Sequence, residues 1–127
     1  MSKHKWQNYI AVLSRKYKKL IFAFPLESPN HGDRSLAISP NSLTASPFGW
    51  HDTDGGEGAE FTITRGNNVH AYEDRAAANS PGYSPDGGSS LDFLFPLDLT
   101  MDPEDYQDAA ITNLFYWNNV IHDVMYQ

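Results

Sequence analysis

The chain has 127 residues, a formal net charge of −7 and no cysteine. That length fits one domain, and a 40% hydrophobic content exceeds what a disordered chain of this charge carries. The missing cysteine excludes disulfide frameworks, cysteine-ligated zinc, iron–sulfur clusters and thiol nucleophiles, and no apolar run approaches the ~20 residues of a membrane helix.

Residues 1–26 hold six basic side chains and no acid, whereas residues 27–127 set three arginines against all 16 acids, a balance of −13. The first 20 residues therefore read as a basic arm, separable from the body. Trp6, Ile10, Leu13, Tyr17 and Leu20 recur at spacings of three and four, which predicts an amphipathic helix over about 4–20. Leu20 to Phe24 suits a short buried strand equally well. Ser14-Arg15-Lys16 interrupts the apolar run that a secretory signal requires, so no signal peptide is visible.

Proline and glycine recur from Pro25 to Gly56 too often for a long helix. Ser35–Ile38 fits a short strand between them. Ala59–Thr64 alternates apolar and polar residues as a strand does; Gly66-Asn67-Asn68 reads as a turn, and Val69–Tyr72 as the return strand. Residues 79–90 read as loop, and Leu91–Phe95 as a strand stopped by Pro96. Asp102 and Pro103 then mark the start of a long helix over about 103–127. Tyr106, Ala110, Leu114, Trp117, Ile121 and Val124 share one of its faces, and Ile111, Phe115 and Met125 lie on the adjoining one. So wide an apolar arc belongs to a helix buried on more than one side. The fold class is α+β: a loop-rich segment with a few short antiparallel strands, followed by one long C-terminal helix.

The segment from His51 to Glu60, with Asp52, Asp54, Glu57 and Glu60, offers oxygen ligands suited to calcium. It misses the EF-hand spacing, because Gly56 stands where the third ligand belongs and Ile63 where the closing glutamate belongs. A solvated acidic turn is the reading it fits better. His70 beside its turn suits packing, and Asp86-Gly87-Gly88 is a turn signal. In Asn118–Asp123, His122 and Asp123 point about 100° apart on a helix, which sets them badly as a general-base pair. Only one histidine lies on this helix, so His122 reads as a hydrogen-bonded structural residue. The residues nominate no catalytic, cofactor-binding or metal-binding side chain, and the acidic body argues against nucleic acid as partner.

The tracts PLESPNHGDR (25–34), SPFGWHDTDG (46–55), TRGNN (64–68), SSLDF (89–93) and FYWNNVIHDVMY (115–126) resemble, in this order, the fungalysin family of secreted zinc metallopeptidases, the bacterial members most closely. The resemblance covers roughly residues 21–127. It implies the N-terminal part of a thermolysin-like catalytic module, exported from the cell, that cleaves internal peptide bonds of protein substrates. In that family a His-Glu-x-x-His helix and a later Glu hold the zinc. No histidine here is followed by glutamate, so the zinc ligands and the general base are not in this chain. The resemblance thus implies a truncated portion, inactive alone, whose partner is the remainder of the module. Open apolar faces on the last helix further predict self-association. The alternative is a non-catalytic module whose basic arm binds a protein partner or an anionic membrane surface.

Overall fold

A computed structural model describes residues 17–126. Three short strands form one sheet: β1 (Lys18–Ile21) lies in the centre, with β2 (Ser35–Ile38) and β3 (Asp92–Phe93) on either side. β1 pairs antiparallel with β2, Lys19 facing Ala37 and Ile21 facing Ser35. It pairs parallel with β3, Lys19 facing Phe93. The sheet is therefore mixed, which corrects the expectation of antiparallel strands alone.

The same strand corrects the N-terminal reading. Lys18–Ile21 is extended, so the helix placed over 4–20 does not reach Leu20; its residues 4–16 lie outside the described residues. The boundary at residue 20 also falls inside β1. Tyr17, Lys19 and Ile21 are buried at alternate positions, as a strand requires, but the middle one is a lysine. That charge hid the period of two from a reading based on apolar spacing.

β2 matches the expected Ser35–Ile38. The strand expected over Ala59–Thr64 and its return over Val69–Tyr72 survive only as isolated bridges, Ile63 with Asp86 and Arg65 with His70. The Arg65 N–H turns back to the Ile63 carbonyl at 2.7 Å, a three-residue turn that ends any ladder at Thr64. The turn at Gly66–Asn68 is present, closed by the Gly66 N–H donating to the Val69 carbonyl at 2.9 Å. β3 begins at Asp92 rather than Leu91 because Leu91 has φ of 54°, outside the extended region, and it ends at Phe93, short of the expected Phe95.

The last helix, α1 (Gln107–Met125), follows a 3-10 turn at Pro103–Tyr106. Asp102 stands at the head of that turn, but its side chain makes no capping bond. α1 buries Ala109, Ile111, Thr112, Phe115, Tyr116 and Asn119. Of the two apolar faces expected, the sheet and loops cover the one through Ile111 and Phe115. Leu114, Ile121, Val124 and Met125 remain exposed. The core joins Tyr17, Ile21, Trp50, Ala71, Ile111, Phe115 and Tyr116. It is largely aromatic, with the Trp50 ring centroid 5.8 Å from that of Tyr116 at a steep angle, the edge-to-face contact such rings prefer. Such large rings let a loop-rich chain bury much apolar area with few residues.

Candidate functional site

The segment Ser42–Trp50 is tied to α1 through one carboxylate. Asp123 Oδ2 accepts from the Ser42 backbone N–H and from Trp50 Nε1, each at 2.8 Å. Its Oδ1 accepts from Ser46 Oγ at 2.7 Å and from His122 Nδ1 at 3.0 Å. Four donors fill the lone pairs of one carboxylate. Burial alone would raise the Asp123 pKa, but these donors outweigh it and hold it below the usual carboxylate value. The contact with His122 corrects the expectation that the two side chains diverge: a side-chain torsion closes what the 100° backbone offset leaves open. His122 Nδ1 also lies 3.3 Å from the Asn68 amide group, which sets the Gly66–Asn68 turn against the helix.

Asp123→Ala should destabilise the chain by about 2–4 kcal/mol, since it strands the buried Trp50 N–H and removes several charge-assisted bonds. Asp123→Asn keeps one acceptor oxygen and should cost less than half as much. Urea unfolding of both variants checks this order. An Ala variant within 0.5 kcal/mol of the native chain would refute the role.

A second buried polar group lies beneath. Lys19 and His51 are both fully buried, and Lys19 Nζ is 2.9 Å from His51 Nε2. His51 Nδ1 is 3.0 Å from the Ile63 carbonyl, which can only accept, so the ring proton sits on Nδ1 and Nε2 accepts from Lys19. The ammonium is also caged by aromatic faces, 3.9 Å from the Phe93 centroid and 5.1 Å from that of Phe115. The His51 ring stacks on Phe93 with centroids 5.2 Å apart. Burial lowers the Lys19 pKa well below its usual value. Burial first, and the Lys19 charge second, press that of His51 down to about 3. Nothing in the sequence marks this pair, because its members stand 32 residues apart.

The other nominated residues lie apart. Asp52, Asp54 and Glu60 bring carboxylate oxygens within 4.8 Å of one another, while His51 turns inward to Lys19. Glu60 accepts from the Thr53 N–H at 2.6 Å, and Asp54 from the Gly56 N–H at 2.7 Å, as in an exposed acidic turn. His70 contacts Ser84 Oγ at 3.1 Å and packs edge-on against Tyr72. Asp86 accepts from the Gly88 N–H at 2.8 Å, the turn its sequence signals. Among the described residues no set of histidines converges, and a zinc site of the kind the resemblance implies does not fit the donors present. No helix among them is long and apolar enough to cross a membrane.

The chain is 41% identical, over 97% of its length, to Extracellular metalloproteinase 2 of Arthroderma otae. It is 38% identical to Probable extracellular metalloproteinase 2 of Trichophyton verrucosum and 37% identical to Extracellular metalloproteinase 2 of Trichophyton rubrum, with the same coverage. In each case it spans only 19% of the relative's length. Residues 16–127 match the profile of Fungalysin metallopeptidase (M36), and the chain belongs to that family of metallopeptidases.

Proposed function

We propose that this chain is a portion of the catalytic module of an exported zinc metalloendopeptidase, acting on protein substrates only when complete. Its own contribution is structural. It supplies the aromatic core and the helix held by Asp123, against which the rest of the module folds. The observation that carries the reading is the family match over residues 16–127, joined to the lack of any His-Glu sequence in the chain. Zinc in the complete enzyme is then held by residues outside this chain, and peptide-bond hydrolysis needs them.

Two measurements test this reading. The purified chain is expected to leave casein intact and to retain no stoichiometric zinc after dialysis at neutral pH. Casein hydrolysis by the pure chain, abolished by phenanthroline, would overturn it. The coding DNA that flanks the segment should encode His-Glu-x-x-His in the same reading frame. A frame that closes without this motif would also count against the proposal.

A further inference from the structure

α1 carries a second apolar face that the described residues leave largely open; within it Trp117 alone is half-buried, its Nε1 donating to the Phe22 carbonyl at 3.0 Å. Ala110, Leu114, Trp117, Ile121 and Val124 recur at alternating spacings of four and three, the pattern of a helix that packs along another helix. Leu114 is 50% exposed, Ile121 55% and Val124 75%. Residues 109–122 contain no Asp, Glu, Lys or Arg. A helix that meets water on one side ordinarily places charges there, and this one carries only asparagines such as Asn113 and Asn118 beside the stripe.

Size decides what covers it. A stable contact between separate molecules takes about 20–30 residues from each side. The stripe offers five, along about 21 Å of helix. An element of the same polypeptide does not pay the translational cost of association, so a short stripe suffices to seat it. The relatives carry about four-fifths of their length outside the matched segment. We propose that the stripe is the seat of an uncharged apolar helix supplied by the rest of the longer polypeptide. The inference rests on the functional reading above, and it names the surface by which this portion joins the remainder. The uncharged flanks set the chemistry of the occupant: its contact face is apolar, with no ion pairs to align it.

Paired substitutions test the seat. L114E and I121E are made together in the 127-residue chain, and at the aligned positions of the full-length Arthroderma otae relative. In the short chain, where the stripe already meets water, the melting temperature should move by less than about 2 °C. In the long relative it should fall by more than about 5 °C. An unchanged melting temperature in the relative would overturn the proposal. So would association of the short chain in light scattering that the two glutamates abolish, since a second copy would then be the occupant. Neither measurement reads proteolysis, so the seat can fail while the metallopeptidase reading stands.

Discussion

Lowering the pH from about 6.5 towards 3 should unfold this chain, because its interior holds a histidine that cannot take up a proton. Burial and the neighbouring Lys19 press His51 down to about 3, whereas the unfolded chain protonates it near 6.5. Between those values the unfolded state binds more protons than the folded one. The His51 contribution is therefore full above 6.5 and drains away as the pH falls. At 1.36 kcal/mol per pH unit, this window costs at most roughly 5 kcal/mol. That equals the whole net stability of a modest domain. Lys19 acts in the same direction: burial lowers its pKa, so folding grows more favourable as the pH rises towards 10.5. Asp123 adds a loss only at lower pH, below the ordinary carboxylate value near 3.8. The double variant K19M/H51F preserves much of the packed volume, including a ring between Phe93 and Phe115, and removes both titrating groups. Its melting temperature should vary far less between pH 7 and pH 4.5 than that of the native chain. Equal acid sensitivity in the two proteins would show that the pair does not control it.

Gly66→Ala should prevent folding altogether. A Cβ built at residue 66 would lie 1.7 Å from the carbonyl oxygen of Trp50 and 2.7 Å from its carbon. Both are backbone atoms of a residue locked into the core, through Asp123 on one side and Tyr116 on the other. Neither can step aside without tearing the Ser42–Trp50 segment from α1. The expected loss exceeds about 4 kcal/mol, the range that severe steric conflicts reach. Gly55→Ala is the control. Gly55 has φ of 72° but nothing within 4 Å, so only the left-handed backbone is penalised, by about 1 kcal/mol. Soluble yield and urea unfolding compare the two. A folded Gly66→Ala chain of native stability would mean that residues 50 and 66 do not pack backbone to backbone.

The sequence by itself determined the family, the β2 strand, the Gly66–Asn68 turn and the long last helix. Each depends on interactions between near neighbours or on motif words: the proline and acids that open the helix, the glycine and asparagines of the turn. The lack of His-Glu-x-x-His, on which the reading of this chain as inactive alone rests, was legible for the same reason. Tertiary structure decided the rest. Lys19 enters the core only because Phe93, Phe115 and His51 come from distant parts of the chain to enclose it, so a strand with a buried charge resembled a helix. Leu91 turns the chain with a positive φ and shortens β3, which no propensity of leucine announces. Asp123 was visible as part of a polar hexapeptide, but its four donors lie on the same helix and on a loop more than 70 residues away. Which apolar face of α1 is buried was equally undecidable from spacing. Both faces satisfy helical periodicity, and only the position of the sheet beneath selects the one through Ile111 and Phe115.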